Sequence, residues 1–244
     1  IAILFISTVF TSYGQSRKGI SILGDSYSTF ENCVVPDTNY VWYWEKSQSK
    51  NDVHNAADTW WHKLISEEGY RLCKNNSFSG STVCNTGYKG KDYSDRSFIA
   101  RMKNLGSPDL IYIFGGTNDY GHGDAPFGEF TDRTPQSFCG AVHYLFRGLI
   151  EKYPTKPIII ITPMHRIHDY KPNSSNQKVL KDYVDVIREA AEMYSLPVLD
   201  LFASFGICPD IPEQKEAFCP DGLHPNDAGN RVLAEKLKKF LEAI

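Results

Sequence analysis

The chain has 244 residues, 41% hydrophobic and 23% charged, with a formal net charge of −3. That length and apolar share allow one large α/β domain with a sizeable core. The weak acidic balance, with no long basic tract, argues against a nucleic-acid surface built on charge, and no apolar run reaches the ~20 residues of a membrane-spanning helix.

The first ten residues, IAILFISTVF, are apolar, and Ser12-Tyr13-Gly14 follows as a small-x-small triplet. Residues 1–14 read as the remnant of a signal peptide cleaved before Gln15, which predicts an exported protein, periplasmic or secreted. The other reading is a buried first strand. From residue 19 onward there is no repeat, linker or composition break, so residues 19–244 read as one domain. Residues 19–23 predict a first strand, 59–68 a helix, 70–74 a second strand and 97–105 a short helix. DLIYIFGG predicts a third strand, and its near-continuous apolar run suits a parallel strand covered on both faces. Phe138, Val142, Leu145, Phe146, Leu149 and Ile150 recur at helical spacing. KPIIIITP predicts a fourth strand. Leu180, Tyr183, Val184, Ile187, Ala191 and Tyr194 mark another helix. LPVLDLF predicts the fifth strand. Val232, Leu233, Leu237, Phe240, Leu241 and Ile244 mark the last helix.

This alternation predicts an α/β fold with a parallel five-stranded sheet and helices on both faces. Functional loops of such sheets gather beyond the carboxyl ends of the strands. Ser26, Gly80 and Asn118 follow the first, second and third strands, so all three are expected at one edge of the sheet. The six cysteines, Cys33, Cys73, Cys84, Cys139, Cys208 and Cys219, form no CxxC pair and no zinc-like spacing. Export permits disulfides, the shortest loops joining Cys73 to Cys84 and Cys208 to Cys219. Buried free thiols are the equal alternative.

Four short segments carry chemistry. In GDSYS, Ser26 is either a nucleophile at a strand end or part of an ordinary polar turn. It is not the G-x-S-x-G elbow, because position 28 is Ser. In NNSFSGST, Gly80 lacks a Cβ, so its N–H can approach a ligand closely. In GGTND, Asn118 offers an uncharged NH2 donor, which suits an oxyanion hole. In DGLHPN, a turn can bring the Asp221 carboxylate to Nδ1 of His224 and leave Nε2 free to take a serine proton. Asn226 is placed to cap the helix that follows. Each segment alone is also an ordinary turn. Together, and in this order, they resemble the SGNH hydrolase family, also called GDSL esterases and lipases, over nearly all of residues 19–244.

The resemblance implies a three-layer α/β/α, flavodoxin-like fold and serine ester hydrolysis without a cofactor. Carried over by position, it makes Ser26 the nucleophile, His224 the base and Asp221 its orienting acid. The oxyanion donors would be the Ser26 N–H, the Gly80 N–H and the Asn118 side chain. One departure is Ser77, where family members often carry a second Gly, and it leaves the path of that loop open. Asp25 and Asp119 are expected to fix turns rather than to catalyse.

A long connection, residues 31–58, separates Ser26 from the first helix and holds Tyr40, Trp42, Tyr43 and Trp44. Long loops in compact domains are often functional, so Tyr40, Trp42 and Trp44 are candidate sugar or acyl contacts. Packing of the loop on itself is the plainer reading. Arg166 and His168, after the fourth strand, are further candidate contacts. His165, His168 and Asp169 lack another ligand at useful spacing, so no metal is expected. The expected substrate is a small-molecule or polysaccharide ester, with short acyl groups, acetyl foremost, removed from a carbohydrate. A lipase, lysophospholipase or thioesterase with the same triad is the nearest alternative, and a non-catalytic carbohydrate-binding protein the alternative of another class.

Overall fold

In a computed structural model, which describes residues 17–46, 51–122 and 124–244, five parallel strands form a sheet in the order β2-β1-β3-β4-β5. They are β1 (Gly19–Gly24), β2 (Arg71–Asn75), β3 (Leu110–Phe114), β4 (Ile158–Ile161) and β5 (Val198–Leu199). The helices are α1 (Trp60–Glu68), α2 (Phe98–Arg101), α3 (Thr117–His122), α4 (Phe138–Lys152), α5 (Leu180–Met193), α6 (Leu201–Ser204), α7 (Pro212–Phe218) and α8 (Asp227–Ala243). The chain order reverses between β1 and β3, the place where such sheets open a crevice at their carboxyl ends. The signal-peptide reading of residues 1–14 lies outside the described residues.

The apolar runs follow from burial on both faces. Along β3, Leu110, Tyr112 and Phe114 enter one core, and Ile111 and Ile113 enter the other. β4 repeats the division, with Ile159 and Ile161 on the first side and Ile158 and Ile160 on the second. Successive side chains of a strand point to opposite faces, so two helical layers need an unbroken apolar strand. α1 and α8 cover the first face with Trp60, Trp61, Leu64, Leu233 and Leu237. α2, α4 and α5 cover the second with Phe98, Phe138, Leu145, Tyr183 and Ile187. Side-chain caps set helix starts. Ser137 Oγ accepts from Gly140 N before α4, and Asn226 Oδ1 accepts from Gly229 N at 3.0 Å before α8. At the end of α1, Gly69 takes the left-handed conformation (φ 67°).

Several elements differ from the sequence expectation. The helix expected over 97–105 forms only at Phe98–Arg101. The fifth strand is cut to Val198–Leu199, because Asp200 accepts from Ala203 N at 3.1 Å and starts α6. α3 and α7 were not expected from the sequence. α3 begins inside GGTND, where Gly, Asn and Asp signal a turn. The last helix starts at Asp227, directly after the expected Asn226 cap. All six cysteines are free thiols.

Candidate active site

Ser26 opens a short 3-10 turn, Ser26–Ser28, at the carboxyl end of β1. Asp25 holds that turn: its Oδ1 accepts the Tyr27 N–H at 3.1 Å. Gly24 is required here because a Cβ would meet the hydroxyls of Ser28 and Ser77, each at 2.7 Å. Ser26 and His224 are separated by 198 positions in sequence, yet His224 Nε2 lies 2.9 Å from Ser26 Oγ. On the other side of the ring, Nδ1 lies 2.6 Å from Asp221 Oδ2. Asp221 Oδ1 accepts the backbone N–H groups of Leu223 and His224 at 2.8 and 2.7 Å. Those bonds close the loop before α8 and fix both partners.

Burial sets the electrostatics. His224 is 4% exposed, and burial lowers its pKa below the ordinary 6.5 against the raising effect of Asp221, with Arg166 adding to the lowering. His224 is therefore neutral at pH 7 and able to accept a proton. Burial acts to raise the Asp221 pKa, but the bonds from His224 and the loop N–H groups outweigh it, and the carboxyl lies below its ordinary value.

The segments that carry the oxyanion candidates leave the sheet next to the end of β1: Gly24 pairs with Phe114 of β3, and Gly24 O accepts the Phe78 N–H at 3.1 Å. Asn118, in α3 after β3, donates one amide hydrogen to Ser81 O at 3.0 Å, which leaves its second hydrogen for a ligand. Gly80 takes φ 78°, with no atom within 4 Å of where a Cβ would stand. Neither the Ser26 nor the Gly80 N–H donates to a protein acceptor among the described residues. Ser77 resolves the loop path: its Oγ donates to Asn75 Oδ1 at 2.6 Å while it packs against Gly24. Asp119 accepts the N–H groups of Val83 and Cys84 at 2.8 and 3.2 Å, so it holds the two loops together as a structural group.

The structure also uses residues without a sequence signal. Arg101 is buried, and its guanidinium donates to Gly24 O at 3.2 Å, to Asn76 O and to Ser81 Oγ at 2.8 Å. It ties the end of β1 to the Gly80 loop. His122 Nε2 lies 3.0 Å from Gly80 O. Thr29 Oγ1 donates to Ser26 O at 3.0 Å and accepts the Trp42 N–H at 2.8 Å. None of the three stands in a motif. An Arg in a short helix, a His in a Gly-rich segment and a Thr in a polar turn look ordinary until the loops are folded together.

The candidate substrate contacts divide. Trp42 is half-buried and stacks on His224, with ring centroids 3.7 Å apart and planes 16° off parallel. Tyr40 is exposed, with Phe78 at 5.8 Å, and Trp44 is half-buried in the same loop. Arg166 lies beside α3, its Nη1 3.4 Å from Thr117 O. His168 is tied elsewhere. Its ring lies 3.2 Å from Asp210 and its N–H donates to the same carboxylate. His165 Nδ1 likewise lies 2.7 Å from Asp169 Oδ2. The arrangement can deprotonate Ser26 through His224 and place up to three donors around an oxyanion.

Residues 18–202 match the model of the GDSL-like Lipase/Acylhydrolase family. Asp221 and His224 lie beyond that match. The chain is similar to a candidate GDSL-like lipase from Bacteroides ovatus, at 38% identity and TM-score 0.76, covering 94% of this chain and 100% of that one. It is similar to a second from Bacteroides uniformis, at 36% identity and TM-score 0.74, covering 95% and 99%. A salicylyl-acyltransferase from a tetracycline biosynthetic pathway shares the fold alone, at 18% identity and TM-score 0.61, covering 94% of this chain and 55% of that one. No curated protein matches the chain.

Proposed function

The chain belongs to the GDSL-like lipase/acylhydrolase family, and within it we propose a Ser26-His224-Asp221 enzyme that removes acetyl or similarly short acyl groups from a carbohydrate. By family it is a carboxylic ester hydrolase of the serine class. The observation that carries the triad is the unbroken run of contacts from Asp221 through His224 to Ser26, at 2.6 and 2.9 Å.

In this mechanism Ser26 Oγ attacks the ester carbonyl carbon as its proton passes to His224 Nε2. The carbonyl π pair moves onto oxygen, and the Ser26 N–H, the Gly80 N–H and the free hydrogen of Asn118 receive the developing charge. Asp221 holds the ring with Nδ1–H toward itself and stabilises the imidazolium. The tetrahedral intermediate collapses, the alcohol leaves with the proton from His224, and an acyl-Ser26 remains. Water then repeats the sequence: it gives a proton to His224, attacks the acyl carbon and releases the acid as Ser26 regains its proton.

A carbohydrate substrate is supported by the exposed Tyr40 ring beside the Gly80 loop and by polar groups, Arg166 among them, around the site. Such groups suit a hydroxylated alcohol better than a long acyl chain. The apolar segment before Gln15 supports export; an N-terminus beginning at Gln15 on the protein recovered from its host would bear on that directly. The substrate reading is tested by 4-nitrophenyl esters of rising chain length, run beside acetylated polysaccharides. The expected result is the highest kcat/KM on the acetyl ester and acetate released from the polysaccharides. A kcat/KM that climbs with chain length, with no acetate released, overturns it in favour of a lipase or lysophospholipase.

A further inference from the structure

The long loop between Ser26 and α1 is bonded to both ends of the proton path. The Trp42 N–H donates to Thr29 Oγ1, which itself donates to the Ser26 carbonyl. Tyr43 Oη donates at 2.7 Å to the carbonyl of Pro225, the residue after His224. The Tyr43 carbonyl accepts the Glu31 N–H at 3.0 Å and closes the loop on itself. These bonds lay the Trp42 indole flat on the His224 imidazole, at 3.7 Å and 16°. The other rings meet His224 edge-on, Tyr27 at 5.7 Å and 61° and Tyr43 at 6.4 Å and 87°. So one aromatic ring covers a face of the base.

We propose that Trp42 is a positioning residue for the base, its indole face holding the His224 ring and favouring the imidazolium over the neutral imidazole. This rests on His224 being the base. The face of an indole carries the negative part of its quadrupole, so it attracts a cation laid over it more than a neutral ring. The imidazolium exists only while the Ser26 proton, or that of the attacking water, is held on Nε2. An interaction that strengthens at that moment raises kcat rather than substrate affinity. The groups facing His224 are Asp221 and Ser26 along the proton path, Tyr27 from the turn after β1, Tyr43 from the loop and the Arg166 charge from the segment after β4. Asp221 is the one acid among them in contact with the ring, and Trp42 supplies attraction from the face that Asp221 does not reach.

Fluorination separates this role from simple packing, because fluorine drains the quadrupole while keeping the ring's shape and cover. Mono-, di- and trifluorotryptophan are introduced at position 42 alone. Two quantities are read: kcat on 4-nitrophenyl acetate across pH, and the His224 titration midpoint by NMR in the resting protein. The expected result is a stepwise fall in kcat, several-fold to about tenfold across the series, at a nearly constant KM. The NMR midpoint and the acid limb of the rate both move to lower pH. Trp42→Leu loses at least as much, and Trp42→Phe recovers part. A midpoint and a kcat that stay flat across the fluorine series overturn the proposal, whatever Trp42→Leu does. The NMR titration stands without turnover. A falling midpoint in a protein that hydrolyses no ester would keep the stack's effect and overturn the esterase reading, and the converse pattern would do the reverse.

Discussion

Asn118 gives one amide hydrogen to Ser81 O and keeps the other. If the second hydrogen serves the oxyanion, Asn118→Ala lowers kcat on an activated acetyl ester by about 10²–10³-fold with little change in KM. An unchanged kcat would reduce Asn118 to a turn residue. The lowered pKa of His224 sets a second expectation. The base works only when neutral, so kcat/KM falls as pH drops through its pKa, with a midpoint below the ordinary 6.5; a profile flat from acid to alkaline pH would contradict a histidine base. Asp25 is neither partner nor base: burial pushes its pKa from 3.8 up to about 7. The native state then holds a proton that the unfolded chain has lost. Its contribution to stability is complete below the unfolded value, 3.8, and is lost as pH rises through about 7. Asp25→Asn is expected to lessen the fall in Tm over that window, read by thermal melts in matched buffers. The fall does not vanish, because burial raises Asp119 in the same way, to about 6. Ser26, Asn118 and the Asp221–His224 pair could be singled out in the sequence because each stands in a short motif whose chemistry is local, and the contacts among Ser26, His224 and Asp221 join two of those motifs. The stack of Trp42 on His224 could not, because it joins residues with no sequence relation.

Among the elements, the site depends on how loops are pinned at the strand ends. Arg101 binds the carbonyl of Gly24, the carbonyl of Asn76 and the hydroxyl of Ser81 from one short helix. Gly24 O keeps a second donor, the Phe78 N–H, so the loss in Arg101→Met falls on Asn76 O and Ser81 Oγ, both buried, and on the part-buried Arg96 O, which accepts from Arg101 Nε at 2.8 Å. Leaving buried polar groups unpaired costs about 1–3 kcal/mol each, so the variant is expected to lose about 2–6 kcal/mol from the two buried acceptors, read as a lower denaturant midpoint at unchanged m. With Ser26 as nucleophile and Gly80 as oxyanion donor, as proposed above, its kcat should fall too, since the clamp joins their two segments. Unchanged stability would show that Arg101 does not clamp the two loops. The long amphipathic helices α4, α5 and α8 were readable because apolar residues at a 3.6 period over three turns or more put one continuous stripe on one face, which only a helix does. α3 was not, because its sequence, TNDYGH, is built from turn formers and is held by tertiary bonds through Asp119. β5 shortened because Asp200 serves the next helix instead of the strand.

Across the whole chain, the strand order β2-β1-β3-β4-β5 brings the ends of β1 and β3 side by side. The segments that carry Ser26 and Asn118 thus leave the sheet side by side, although the two residues are 92 positions apart by their numbering. The fold was legible because two-sided burial writes itself as unbroken apolar runs such as IIII in β4. The approach of the last loop to the first was legible only through the family resemblance, since no local pattern states that Asp221 and His224 return to β1. The core's share in holding the site is tested by Ile113→Ala, a truncation at a 4% exposed position of the central strand. It is expected to cost about 2–5 kcal/mol of stability, read by urea unfolding. Above all, Ser26 is held to be a nucleophile activated by His224, and labelling with a fluorophosphonate probe followed by peptide mapping reads that property itself. One adduct is expected, on Ser26, absent in Ser26→Ala and strongly suppressed in His224→Ala. Folded protein that hydrolyses esters yet carries no adduct on Ser26, or carries it on another residue, would refute that role for Ser26.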